Sequence, residues 1–187
     1  DDAPNPTDPY AVSKYEAEQG LQCIASATGM DVVIIRPPLV YGPGVQANFR
    51  KMMKWLKTGM PLPLAGINNK RSLVALDNLV DLIMVCIKHP AAANHIFLAG
   101  DGEDLSTTDL LRRLGSALGK PAKLFPVPVG LLKLGASLLG KSDVAQRLCE
   151  SLQVDISKAQ KLLGWPPPLR LDEFLQRTPK DFPEYQY

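Results

Sequence analysis

The chain has 187 residues, 45% of them apolar and 21% charged, enough for one domain with a sizeable core or one domain and a small lobe. A formal net charge of +2 is too small to argue for a nucleic-acid partner, and no apolar run reaches the roughly 18 residues of a membrane span. Three widely separated cysteines (Cys23, Cys86, Cys149) read as reduced thiols of a cytoplasmic protein, and with His89 and His95 they offer no metal-ligand spacing.

The first element is a helix with clear ends. Asp8 suits the N-cap, Pro9 the first helical position and Gly29 the stop. "DVVIIRP" follows, a β-branched run closed by Pro37, and it reads as a strand buried on both faces over Asp31–Ile35. "PPLVYGPG" reads as a loop on its prolines and glycines. "ANFRKMMKWLKTG" has the periodicity of an amphipathic helix ending at Gly59, and "RSLVAL" reads as a short strand. Asp77 is placed as the N-cap of "NLVDLIMVCIKH", which stops before Pro90, and "HIFLAG" is the next strand. "GDGED" is a turn. Ser106 and Asp109 resemble a capping box for "TTDLLRRLGSALG". "AKLFPVP" is extended, and helices are expected near 130–139, 142–151, 156–163 and 171–178. The apolar piece "GLLKLGASLLG" is too short for a span and reads as a core-packing or lid helix; membrane association is not expected. The alternation of strand and helix indicates the α/β class. No strand–Gly-x-Gly-x-x-Gly–helix occurs, so a dinucleotide-phosphate cradle is missing from these residues.

Tyr10 and Lys14 stand one helical turn apart on one face. A phenol with a pKa of about 10 is a poor base at neutral pH, but an ammonium about 4 Å away at an effective dielectric of about 20 favours phenolate by about 4 kcal/mol. That brings a tyrosine to about 7, where it works as a general acid–base. The same two residues would also suit an ordinary solvated helix face.

Longer motifs separate these readings. "PTDPYAVSKYEAE", then "VVIIRPPLVYGPG", then "RSLVALDNLVDLI" and "DISKAQKLLGWPPPLRLDEFL" resemble, in order, the blocks of the extended short-chain dehydrogenase/reductase superfamily, in its NAD-dependent sugar epimerase/dehydratase group. The resemblance implies the C-terminal part of a Rossmann-like doubly wound parallel sheet plus a small α/β substrate-binding lobe. Residues 1–45 would end the NAD-binding domain. Residues 46–187 would form mostly the lobe, with elements about 70–100 returning to the Rossmann sheet. The chain would be the later part of a protein of roughly 300 residues or more, a domain-and-lobe size.

By that resemblance Tyr10 is the acid–base residue, and Lys14 lowers its pKa and holds the nicotinamide ribose of NAD. Pro37, Pro38, Leu39 and Val40 pass beside the nicotinamide, with two prolines where the family commonly has aromatics and Leu39 in place of an asparagine. Asn48 and the Phe49 amide meet the substrate diphosphate, as do Arg71 and Arg147, whose donor forks suit phosphate. Asn48 equally suits a helix N-cap, and Trp165 reads as core. The implied activity is a UDP-glucose/UDP-galactose-type 4-epimerase working through transient C4 oxidation. A 4,6-dehydratase, a 4-keto reductase, an epimerase for lipid-linked sugars and a non-catalytic binding module of the same fold are the alternatives. An apolar strand with an open edge is a pairing template, so a homo-oligomer is expected. Without a nucleotide cradle, this polypeptide alone is expected to show no epimerase activity; turnover of UDP-galactose by the purified 187-residue chain is the measurement that would contradict this.

Overall fold

The computed structural model describes residues 4–6, 8–42 and 48–181. Helix α1 (Pro9–Thr28) has the expected ends: the Asp8 carboxylate accepts from the Ala11 amide at 2.7 Å, and Gly29 closes the helix in the left-handed region at φ 73°. Strand β1 (Ile34–Arg36) pairs in parallel with β4 (Ile96–Leu98), Ile34 opposite Ile96. It is shorter than the sequence indicates. Asn94 (φ 61°) takes over just before it: its side chain accepts from the Val32 amide at 3.2 Å, and its own amide donates to the Val32 carbonyl at 2.8 Å. A side chain there replaces a strand ladder.

Leu39–Tyr41, expected to lie in a loop, is strand β2, paired in parallel with β3 (Arg71–Ala75) so that Leu39 faces Leu73 and Tyr41 faces Ala75. Pro37 and Pro38 carry no N–H, so a ladder cannot run through them. They end β1 and pass the chain to a second sheet, in which β5 (Asp104–Leu105) joins β3 in antiparallel fashion. Helix α2 (Asn48–Thr58) follows, ending before Gly59. Helix α3 (Leu76–Lys88) starts directly on β3. Its N-cap position is therefore Ala75, and Asp77 lies in the first turn without capping. A carboxylate there still suits the positive end of the helix dipole. Helix α4 (Thr107–Ala117) starts on Ser106, whose hydroxyl accepts from the Asp109 amide at 3.0 Å and donates to the Asp109 carboxylate at 2.8 Å. The capping box is thus present with its return bond on the hydroxyl, because aspartate is too short to reach the cap amide. Helices α5 (Val129–Leu138), α6 (Ser142–Cys149), α7 (Ser157–Leu163) and α8 (Leu171–Asp181) complete the chain. Helix α5 has no buried residue, which corrects its reading as a core-packing helix.

Successive residues of a strand point to opposite faces, and β3 uses this to divide two cores. Leu73 and Ala75 face a larger core with Tyr41, Phe49, Met53 and Phe174, while Val74 faces a smaller one with Leu82, Phe97 and Trp165. Trp165 is core as expected, its indole donating to Asp81 at 2.7 Å. The cores are joined by Asp101. Its Oδ2 accepts from the Tyr41 hydroxyl at 2.6 Å, and its Oδ1 accepts from the Ala75 amide at 3.0 Å and from Asn78 Nδ2 at 2.7 Å. Asn78, fully buried, also donates to the Leu169 carbonyl (2.7 Å) and accepts from the Leu169 amide (2.9 Å). Burial lifts Asp101 above the usual carboxylate range, opposed by the Tyr41, Asn78 and Ala75 donors. Burial, then the Asp101 charge, pushes the Tyr41 phenol far above its ordinary value of 10.0.

Two predictions follow from this hub. Asn78→Ala leaves a carboxylate oxygen short of a donor and the Leu169 backbone unpaired, so denaturant unfolding should show a loss of about 3 kcal/mol. The unfolded chain releases the Tyr41 proton near pH 10.0 while the folded chain keeps it. Stability should therefore fall as pH rises beyond that value. Tyr41→Phe should flatten the fall, as read from thermal unfolding across the alkaline range.

Candidate active site

Tyr10 lies in the first turn of α1 and is 72% exposed. The Lys14 ammonium sits over its ring, 5.4 Å from the centroid. The cation thus faces the aromatic π-surface, a weakly attractive arrangement when exposed to water. One turn further along comes Glu18. Its carboxylate receives the Arg36 guanidinium, with Nε at 3.0 and 3.1 Å from the two oxygens and Nη2 closing the fork. The ion pair is part-buried and bidentate, and the Glu18 carboxylate is the first cause holding Arg36 above its ordinary pKa. Tyr10, Lys14 and Glu18 occupy successive turns of one helix face, so the Glu18–Arg36 fork anchors that face to the carboxyl end of β1. In open α/β sheets this end of the strands is where cofactors bind. Sequence reasoning missed Glu18. Its signal was the repeat of four from Tyr10 through Lys14, ahead of an arginine at a strand end.

Leaving Arg36, the chain passes Pro37 and Pro38 and enters β2. Val40 packs toward the smaller core and Leu39 toward the larger one. Leu39 also lines a cleft of about 440 Å³ whose walls carry Lys51, Arg71, Lys141 and Arg147, with Asp143 the only acidic group among the described residues. The two arginines expected at a diphosphate are thus brought to one cleft, together with the proline loop's first strand residue. Lys51 and Lys141 add to it and were not foreseen. Phe49 is 1% exposed and its ring lies 5.8 Å from that of Tyr41, so its side chain belongs to the core. The Asn48 side chain lies outside the described residues.

A helix C-terminus positions Arg71 and Arg147. The last carbonyls of a helix have no partner within it. At the end of α6, Arg71 Nη1 donates to the Arg147 carbonyl, Asn69 Nδ2 to the Leu148 (3.1 Å) and Glu150 (2.8 Å) carbonyls, and the Thr107 hydroxyl to Leu148 at 2.7 Å. Arg71 Nε is shut off from water and meets no acceptor among the described residues. Burial draws this guanidinium below its ordinary pKa. A buried donor without a partner is costly, and this one belongs to a residue that lines a cleft with three other cationic side chains. Arg147 itself is exposed at the rim.

The residues present fit the nicotinamide half of NAD. Lys14 offers an ammonium for ribose hydroxyls. Between Arg36 and β2, Pro37 and Pro38 offer no amide N–H, so this turn leaves its backbone donors to the strand that follows. Among the described residues no group of three or more His, Cys, Asp or Glu side chains could hold a metal.

The fold and this arrangement define an α/β protein of the Rossmann class. A model of the family described as "NAD dependent epimerase/dehydratase family" matches residues 1–100. The chain is 51% identical to a UDP-glucose 4-epimerase of Vibrio cholerae over 95% of its own length and 54% of that protein's. It is 26% identical to an N-acetyl-alpha-D-glucosaminyl-diphospho-ditrans,octacis-undecaprenol 4-epimerase of Escherichia coli O157:H7, over 95% of this chain and 58% of that one. The crystal structure of a UDP-glucose 4-epimerase of Thermotoga maritima with UDP-glucose superposes with a TM-score of 0.72, covering 98% of this chain and 56% of that one at 22% identity, a likeness of fold. The chain belongs to the NAD-dependent epimerase/dehydratase family and spans about half the length of the curated relatives it matches.

Proposed function

We propose that the protein containing this chain is an NAD-dependent 4-epimerase of diphosphate-linked hexoses, with UDP-glucose and UDP-galactose or their N-acetyl forms as the leading substrates. The supporting observation is that Leu39 lines one cleft with Arg71 and Arg147. Leu39 follows directly on the loop that leaves Arg36, and Arg36 grips the Tyr10–Lys14 helix through Glu18. The helix that carries Tyr10 and Lys14 is thus tied to the strand end from which the chain runs into the wall of the cationic cleft.

NAD supplies a reversible hydride acceptor when bound. Tyr10 Oη takes the proton of the C4 hydroxyl as that carbon becomes a ketone, and returns it after the flat sugar has turned over. Lys14, whose ammonium lies over the Tyr10 ring, would hold the nicotinamide ribose. Arg71 and Arg147 hold the diphosphate, so the sugar can rotate about its linkage while its anchor stays fixed. A tyrosine–lysine pair in this role also serves dehydratases and 4-keto reductases. The 51% identity to a UDP-glucose 4-epimerase favours epimerisation.

In the full-length protein, Tyr10→Phe and Lys14→Met should each lower kcat for UDP-hexose interconversion by about 10²–10⁴-fold, the usual worth of a positioned acid–base. Arg71→Lys keeps the charge and loses the planar fork, so KM should rise by about tenfold or more with a smaller change in kcat. Unchanged rates for both Tyr10→Phe and Lys14→Met would refute the assignment.

A further inference from the structure

The modest net charge of the chain conceals a segregation. Residues 48–76 hold six Lys or Arg and no Asp or Glu, and residues 110–142 hold another six, again with no Asp or Glu. The rest of the chain carries nine of the 21 cations and all 19 carboxylates, so a formal +12 on the two segments stands against −10 elsewhere. The fold sets the two segments side by side. The Leu62 amide donates to the Lys123 carbonyl at 2.9 Å, the Phe125 amide to the Leu62 carbonyl at 3.0 Å, and Lys120 Nζ to the Lys57 carbonyl at 3.4 Å. Burial, and then the neighbouring Lys120 charge, draws the Lys57 ammonium below its ordinary pKa. Arg112 and Arg113 are paired with Asp109, Glu103 and Asp172. Among the described residues, Lys54, Lys120, Lys123, Lys133 and Lys141 are exposed and in no ion pair. Only Lys141 of these lines the cleft at Arg71, so a ligand in that cleft leaves the other four unanswered.

An apolar stripe lies among these lysines. Leu131, Leu134 and Leu138 stand at i, i+3 and i+7 on one face of α5 and are 60%, 59% and 82% exposed, and Leu139, directly after the helix, is 75% exposed. Lys133 is on the helix itself and Lys141 two residues past Leu139. Phe125, also exposed, comes just before the helix and beside Lys123. A contiguous apolar stripe in water marks a contact surface. We propose that α5 and the lysines around it form a docking face for an anionic lipid bilayer, the leucines entering the headgroup–acyl boundary and the lysines meeting lipid phosphates. Charge complementarity commits the face to this occupant. A second copy of the chain would set two cationic faces against each other. A nucleic acid would answer the lysines and leave the leucines in water. An anionic bilayer answers both. None of the described helices is long and apolar enough to cross a membrane, and a ten-residue helix lying along a surface needs no span. The inference stands apart from the diphosphate reading, because Lys120, Lys123, Leu134 and Leu138 line no part of the cleft.

The test mixes the full-length protein with sucrose-loaded vesicles and reads the bound fraction by sedimentation, with no sugar substrate present. The vesicles are of phosphatidylcholine alone or with about one third phosphatidylglycerol. The expected result is binding to the anionic vesicles only, lost as salt rises from about 0.05 M to about 0.5 M and screening shortens the reach of the lysines. Leu134→Glu combined with Leu138→Glu should weaken this binding about tenfold or more. Lys120→Gln combined with Lys123→Gln should weaken it by about fivefold for each lysine. Both double variants should unfold thermally as the parent does and keep kcat/KM for a UDP-hexose within about twofold, since all four side chains are at the surface. The unfolding curves establish that the variants fold whether or not the protein turns over UDP-hexoses. Absence of binding to the anionic vesicles would overturn the inference. Equal binding to both kinds of vesicle, or parent-like binding by the leucine variant, would also overturn it. Binding to poly-glutamate or duplex DNA in place of vesicles would do the same, and would assign the lysines to an acidic protein or to nucleic acid.

Discussion

One half-buried carboxylate holds the two halves of this fold in register. Asp101 receives a phenol from β2, an amide from the end of β3 and an amide side chain from α3. Asn78 passes the connection on to the Leu169 backbone ahead of α8. A carboxylate in such a place is tolerable only because every neighbour is a donor, and removal of any one leaves an uncompensated buried group. The geometry of β2 and β3 relative to each other therefore has little freedom. That matters for chemistry because Leu39 begins β2 and Arg71 begins β3, and both line the cleft.

Two further electrostatic contacts set the cleft's edges. The Glu18–Arg36 fork ties the Tyr10 helix to a strand end. Arg71, Asn69 and Thr107 together satisfy the carbonyls at the end of α6, which places Arg147 at the rim. Arg71 thereby has a structural bond on one nitrogen and an unpartnered buried Nε on another. The helix end supplies partial negative charge to this half-buried guanidinium on one side.

Much of the fold was legible in the chain. Helix ends at Asp8, Gly29, Gly59 and Ser106 were visible because capping is local chemistry, decided by one side chain and the backbone within a turn of it. Leu39–Tyr41 was hidden among prolines and glycines because those residues mark where a strand must stop, and three paired residues fit between the stops. Asp77 was misplaced as a cap because the strand before it runs into the helix with no loop. The segment 130–140 was read as a core-packing or lid helix from its apolar composition; that it has no fully buried residue and packs through Leu132 depends on what stands opposite, which no local pattern encodes.

The order of residues by itself determined the α/β alternation, the Tyr10–Lys14 pair on one helix face, the two-proline loop after Arg36 and the membership of the family. Tertiary structure alone decided that Arg71 and Arg147 share a cleft with Leu39 and that Glu18 anchors the tyrosine helix. The division has a physical cause. Helix periodicity, capping and proline stops act over a few residues. The cleft is made by groups tens of residues apart along the chain, which come together only when two cores close around Asp101.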